Sequence, residues 1–222
     1  MLYDAVLFDL DNTLADRSAA VRRWAGELYD AEKAIGGKHT REEAVALIEG
    51  WDDGGRVFAP QLFDRIYEQF PGLTRSVAEL VEWHRTAYPA AFQPDDEVTR
   101  LVSDLSARGV PWGIVTNGPA FQRDKVVAMG LDKLAGCIVV SHVFGHDKPA
   151  PEIFHEALRL LGGPEPGRTL FAGDTPASDI AGAKAIGMST AWVRRGQGWP
   201  DDLTPPDHRI DHVAELRPVL GL

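Results

Sequence analysis

The chain has 222 residues, 44% of them hydrophobic and 25% charged, and a formal net charge of −10. This is enough apolar material for a packed core, while the acidic balance argues against a nucleic-acid partner. Cys137 is the single cysteine, which leaves no internal disulfide and no thiolate-rich metal site; the N-terminus MLYDAVLFDLD lacks the basic start of a signal peptide, and no apolar run approaches the roughly 18 residues that span a bilayer, so a soluble cytoplasmic protein with no membrane partner is expected.

The first element is the apolar run Ala5–Phe8, which reads as a buried strand ending in Asp9, with a second carboxylate at Asp11 and no Lys or Arg between them. Residues from about 18 to 90 then read as helices only. Val21, Trp24, Ala25 and Leu28 share one face, and Gly36-Gly37 is expected to stop that helix. Thr40 to Glu43 fits a capping box ahead of Ala44, Leu47, Ile48 and Trp51. Leu62, Phe63, Ile66, Tyr67 and Phe70 form a third stripe, and Val77, Leu80, Val81 and His84 a fourth that ends near Pro89. Trp24, Trp51 and Phe58 are expected to pack inside this helical segment, with Arg22, Arg23 and Arg56 on its solvated surface.

From Pro94 the texture changes to alternating helices and strands. Val98, Leu101, Val102 and Leu105 make a helical face closed by Gly109, and "PWGIVTNG" reads as a short strand ending at Thr116. A helix from Pro119, the strand "CIVVS" and a helix carrying Ile153, Phe154, Ala157, Leu158 and Leu161 follow. "RTLFAGD" is another apolar strand, ending in Asp174, and Thr175-Pro176 opens a helix with proline at a favourable first position. "STAWV" is the last clear strand, and a weak strand and short helix close the chain. This alternation specifies an α/β fold with a parallel sheet, so the helical segment is an insertion after the first strand.

In open parallel sheets ligands bind beyond the carboxyl ends of the strands. Those ends carry Asp9 and Asp11, then Thr116 and Asn117, then Lys148-Pro149, then Asp174 with Asp179 five residues on. Two carboxylates about 4 Å apart repel by roughly 4 kcal/mol at an effective dielectric near 20. With Lys148 as the only compensating charge in view, a divalent cation is the economical solution, and oxygen-only ligands favour a hard ion such as Mg²⁺. Magnesium with free positions for a substrate phosphate makes phosphoryl transfer the leading chemistry. Taken singly these residues have plainer readings: a turn or helix cap for Asp9 and Asp174, a helix N-terminus for Asp179, an ordinary turn for Thr116-Asn117 and an exposed basic loop for Lys148.

Four stretches in order, "DLDNT" (Asp9–Thr13), "TN" (Thr116-Asn117), "KPAPEIF" (Lys148–Phe154) and "GDTPASDIAGAKAIGM" (Gly173–Met188), resemble the four motifs of the haloacid dehalogenase (HAD) superfamily. The resemblance implies a Rossmann-like parallel-sheet core, residues 1–17 and 91–222, with an inserted α-helical cap of the C1 type, residues 18–90. It implies Asp9 as nucleophile, forming an aspartyl-phosphate, and Asp11 as general acid and then general base. Thr116 and Asn117 would bind the phosphoryl oxygens, and Lys148 would neutralise charge on Asp9 and the phosphoryl group. Mg²⁺ would be held by Asp9, the Asp11 backbone carbonyl and Asp174, with Asp179 supporting a metal-bound water. Arg17, where the chain enters the cap, is read as either a contact to an anionic substrate group or an exposed hinge residue.

Dehalogenases of the superfamily lack an acid at the Asp11 position, so the resemblance implies phosphate ester chemistry. A phosphonatase would need a Schiff-base lysine in the cap, a role that neither Lys33 nor Lys38 matches. The expected function is Mg²⁺-dependent hydrolysis of a small phosphorylated metabolite, since closure of a cap favours small substrates. A phosphomutase sharing the core motifs is the alternative, and a non-catalytic phosphometabolite-binding protein a more distant one. "IGGKHT" lacks the spacing and the preceding strand of a phosphate loop, and His208 and His212 read as surface histidines. The sequence carries no signal for an oligomeric state.

Overall fold

The computed structural model describes residues 2–55 and 59–222, and the expectations for Arg56 and Phe58 fall outside them. The chain divides into two compact units, Met1–Ala15 with Pro94–Leu222, and Asp16–Gln93.

The first unit is built on six strands: β1 (Ala5–Phe8), β2 (Trp112–Thr116), β3 (Cys137–Val140), β4 (Thr169–Gly173), β5 (Ser189–Val193) and β6 (His208–Ile210). Their order is β3-β2-β1-β4-β5-β6 and every neighbouring pair is parallel. This is the Rossmann-like α/β sheet that the alternation specifies. All of β1, β2 and β4 is buried, which is why these strands read as continuous apolar runs rather than as alternating ones. In register, Phe8 lies opposite Ile114 on one side and Ala172 on the other. The carboxyl ends of β1, β2 and β4 therefore stand side by side, and whatever follows each strand meets the others.

The second unit holds α1 (Arg17–Ala31), α2 (Lys33–Gly36), α3 (Arg41–Asp52), α4 (Ala59–Gln69) and α5 (Val77–Ala90). Capping boxes at Thr40/Glu43 and Ser76/Glu79 start α3 and α5. Trp24 centres the core of this unit, with ring contacts to Phe63, Trp83, His84 and Tyr88 at 4.9–6.1 Å. Two details depart from the sequence pattern. The first helix does not run to Gly36-Gly37 but breaks at Glu32, whose extended backbone turns its side chain inward. That carboxylate is fully buried and accepts from the Thr74 N–H (2.7 Å), the Thr74 hydroxyl (2.8 Å) and the Arg75 guanidinium (2.6 Å). On α5 the buried face is Leu80, His84 and Tyr88, while Val77 is exposed, because the helix turns its i, i+4 row towards Trp24.

The helices of the first unit are α6 (Asp96–Ala107), α7 (Gln122–Ala128), α8 (Ser141–Phe144), α9 (Pro151–Leu160), α10 (Ala181–Ala185) and α11 (Arg217–Leu220). Helix α7 begins three residues later than Pro119, after tight turns in which Gln122 and Arg123 donate to the Pro119 and Ala120 carbonyls. A wide turn, Pro176–Ile180, precedes α10. Leu7, Val115 and Phe171 of the sheet pack with Ile153, Phe154, Ala157 and Leu158 of α9 and Ala183 of α10. His208 sits beside the Tyr3 hydroxyl at 3.2 Å, and the ring of His212 accepts from the Ala214 N–H.

Burial alone would raise the Glu32 carboxyl, but Thr74 and Arg75 outweigh it and hold its pKa below the ordinary 4.5. A depressed carboxyl stabilises the fold at neutral pH and loses that effect as pH falls below 4.5. Glu32→Gln is therefore expected to destabilise the protein by about 1–3 kcal/mol in urea denaturation at pH 7. The gap from wild type should narrow as the titration is repeated towards pH 3.

Candidate active site

The strand ends meet around one ammonium. Lys148 follows β3 in the loop before α9, and its side chain is 2% exposed. Its Nζ donates to Asp9 Oδ1 (2.6 Å) and to the Val115 carbonyl (2.7 Å), and pairs with Asp179 Oδ1 at 2.8 Å. The ammonium thus makes two hydrogen bonds, to the segments of β1 and β2, and one ion pair, to the turn after β4, where Asp179 Oδ1 is buried without a hydrogen-bond donor among the described residues. Burial alone would lower the pKa of the Lys148 ammonium, but Asp179 and Asp9 outweigh it and hold the charge in place.

Asp9 is nearly buried, and its N–H donates to the Ala172 carbonyl at 2.8 Å, extending the β1–β4 pairing by one residue. Asp174 is partly exposed; its carboxylate accepts from the Thr175 hydroxyl (3.1 Å) and its carbonyl from Trp192 Nε1 (2.8 Å). Asp179 is buried, and its Oδ2 accepts from the Thr175 N–H at 2.9 Å. The approach of Asp179 depends on Gly173: a methyl group there would lie 2.4 Å from Asp179 Oδ2. Glycine ends β4 because the carboxylate occupies the volume of its missing side chain.

One oxygen each from Asp9, Asp174 and Asp179 lies within 4.8 Å of the others. Lys148 offsets one of these three charges, which leaves two, the charge of a divalent cation. The donor set is all oxygen and suits a hard ion. Without a cation, Asp9 and Asp174 hold protons more readily than ordinary carboxyls. Burial pushes Asp9 well above its ordinary value, with Lys148 pulling down and Asp179 and Asp174 adding to the rise. Burial and the Asp179 charge push Asp174 up to about 6, against hydrogen bonds from Thr175 and Asn12.

Asp11 does not share this cluster through its carboxylate. Lys125 of α7, with a side chain 2% exposed, places Nζ 2.9 and 2.7 Å from its two oxygens. Gln122, one turn earlier, donates from Nε2 to Asp11 Oδ2 (3.0 Å), to Thr116 Oγ1 (2.7 Å) and to the Asn117 carbonyl (3.3 Å). The expectation that Lys148 is the only compensating charge is therefore corrected: a second ammonium, from a helix 114 positions away in sequence, matches Asp11. Neither Gln122 nor Lys125 stood out in the sequence. The available signal was a lysine and a glutamine on the apolar side of a short helix.

The remaining predicted residues fall as follows. Thr116 is buried at the end of β2, beside Gln122. The Asn117 side chain is taken up by the backbone of Lys148, donating to its carbonyl (2.9 Å) and accepting from its N–H (2.8 Å). Arg17 belongs to the other unit and is not an exposed hinge residue; it is partly buried, with both guanidinium nitrogens on Asp52, one at 2.8 Å. Asp52 has the geometry to hold it because the same carboxylate also accepts from the Gly55 N–H.

A profile of haloacid dehalogenase-like hydrolases matches residues 3–187. The chain is 30% identical over 232 residues to a glyceraldehyde 3-phosphate phosphatase of Methanopyrus kandleri, covering 97% of this chain and 96% of the relative. It is 31% identical over 207 residues to a phosphoserine phosphatase of Thermus thermophilus, covering 90% and 79%. Among solved structures, the HAD-hydrolase YfnB from Bacillus subtilis, bound to magnesium, shares the fold with a TM-score of 0.80, 23% identity and 99% coverage of both chains.

The raised carboxyls give the cation a pH signature. Between the ordinary value of 3.8 and about 6 the folded cluster binds more protons than the unfolded chain, so the stability of the metal-free protein falls as pH rises through that window. A cation bound there would take the place of those protons. Mg²⁺ at about 100 times its dissociation constant is expected to stabilise the protein by about 2.7 kcal/mol near pH 7.5. The rise in melting temperature should shrink below pH 6 and be lost in Asp174→Asn; an equal rise at pH 5 and pH 7.5 would exclude the cluster as the site.

Proposed function

Because the chain belongs to the haloacid dehalogenase-like hydrolase family, we propose that it is a Mg²⁺-dependent cytoplasmic phosphatase of small phosphorylated metabolites, working through an aspartyl-phosphate. The observation that carries this reading is the pairing of Asp9 with a buried ammonium at the end of β1, with a second acid, Asp11, two residues on.

In the first half-reaction an Asp9 carboxylate oxygen attacks phosphorus, the ester P–O bond breaks, and the leaving oxygen takes a proton from Asp11. In the second, water attacks the phosphorus of the aspartyl-phosphate and gives a proton to Asp11, and the bond to Asp9 breaks to release phosphate. Lys148 orients Asp9 and balances charge on the transferring group, while Thr116 donates to a phosphoryl oxygen. Asn117 acts on Lys148, since its amide ties down the backbone that carries the ammonium. Asp9, Asp174 and the Asp11 carbonyl would hold Mg²⁺, with Asp179 beside them; when bound, the ion neutralises and orients the phosphoryl oxygens.

Asp11 separates this reading from dehalogenation, where the leaving halide needs no proton. The helical unit, inserted after β1, is read as the C1-type cap. Arg17 is read there as part of its internal framework, because its guanidinium is committed to Asp52. The substrate class follows from the chemistry and from relatives named for glyceraldehyde 3-phosphate and phosphoserine.

A panel of phosphorylated metabolites including those two should show phosphate release that requires Mg²⁺. Asp9→Asn is expected to drop to background, and Asp11→Asn to lose about 10²–10⁴-fold on alkyl phosphates. Full activity in Asp9→Asn would sink the nucleophile assignment. Interconversion of a hexose 1-phosphate and 6-phosphate without phosphate release would replace the hydrolase by a mutase.

A further inference from the structure

We infer that Gln122 and Lys125 are positioning residues: one face of α7 orients the proton-transferring carboxylate of Asp11 and turns the Thr116 hydroxyl into a donor. The inference rests on the phosphatase reading above and extends it to residues outside its motifs.

Burying a lysine removes an ammonium from water, and a well-packed apolar side chain of similar volume commonly does as well or better for stability. Lys125 is 2% exposed and both carboxylate oxygens of Asp11 lie within 2.9 Å of it. One ammonium held by both oxygens fixes the direction of the carboxylate, and a further donor to one oxygen fixes its plane, which decides where a proton on it points. The next turn of the helix supplies the second constraint. Gln122 is 3% exposed, and its amide nitrogen faces three acceptors: Asp11 Oδ2, Thr116 Oγ1 and the Asn117 carbonyl. The opposite amide orientation would set its oxygen against a carboxylate and a carbonyl, so the chemistry of the neighbours dictates that nitrogen points inward. Thr116 Oγ1 must then accept from Gln122, and its own proton is left to donate. Within the chain that proton meets the Asn117 carbonyl only at 3.5 Å, too long for a strong bond. A phosphoryl oxygen is the acceptor that this polarity selects.

The two side chains stand at i and i+3 and so share one helical face. A single short helix therefore couples two tasks, protonation of the leaving oxygen and hydrogen bonding to the phosphoryl group. Loss of a packing role would harm all substrates alike. Loss of orientation at Asp11 should harm only those whose leaving group needs a proton.

The test uses the full chain with Mg²⁺ and two esters, phenyl phosphate and 2,4-dinitrophenyl phosphate, whose leaving groups differ widely in basicity. Lys125→Met is expected to lose about 10²-fold in kcat/KM on the phenyl ester and little on the dinitrophenyl ester. Lys125→Arg, which keeps the charge, should restore most of the loss. Added to Asp11→Asn, Lys125→Met should cost nothing further on the phenyl ester, because both act through one group. Gln122→Met should weaken competitive inhibition by inorganic phosphate about fivefold. If Lys125→Met fails to fold, as judged by circular dichroism, Lys125→Gln carries the same comparison. Equal losses on both esters, or none, would overturn the inference while leaving the phosphatase reading intact. A wild-type protein inactive on both esters would instead remove the phosphatase reading, and this inference with it.

Discussion

The Lys148 ammonium is the interaction on which the site depends. A buried cation persists only when its donors are satisfied and its charge is matched. Here three separate segments contribute: Asp9 and the Val115 carbonyl accept hydrogen bonds, and Asp179 adds an ion pair. Each partner in turn constrains its own segment. Asp179 can approach only because Gly173 lacks a side chain, and the Lys148 backbone is itself tied by the Asn117 amide. The ends of β1, β2 and β4 are thereby cross-linked by charge where the sheet has already brought them together.

Electrostatics then divides the acids by task. Asp9 and Asp179 share one ammonium and Asp174 lies beside them, which leaves two negative charges in a space suited to a divalent cation. Asp11 has its own partner in Lys125 and stands outside that set. Adjacent carboxylates with different counter-charges can carry different chemistry, which underlies the proposed division between metal and nucleophile on one side and proton transfer on the other. The same logic accounts for the buried glutamate of the helical unit. Glu32 interrupts a helix because Thr74 and Arg75 offer its carboxylate more than a continued turn would.

Several polar groups of the helical unit are engaged within it. Arg17 is engaged by Asp52, Glu32 by Arg75, and the rings around Trp24 fill its core. Lys33 and Lys38 are exposed. Membership of the hydrolase family rests on a match over residues 3–187, which takes in the strand-end motifs of the first unit.

The sequence alone determined the strands, because a strand buried on both faces must be an apolar run, and each run ended where its chemistry begins: Asp9, Thr116 and Asp174. It also determined the start of α3, since a capping box is written in four consecutive residues, Thr40 to Glu43. Local signals of that kind do not reach across the chain. Glu32 looked like one more helical residue until Thr74, 42 positions on, was folded against it. The Asn117 side chain looked like that of an ordinary turn residue until the Lys148 backbone met it. The deepest change concerns Asp11: the sequence showed an unmatched acid beside another acid, and only the tertiary structure supplied Lys125 as its partner. Periodicity and caps are set by neighbours in sequence, whereas which charges pair is decided by the sheet order that makes distant segments neighbours in space.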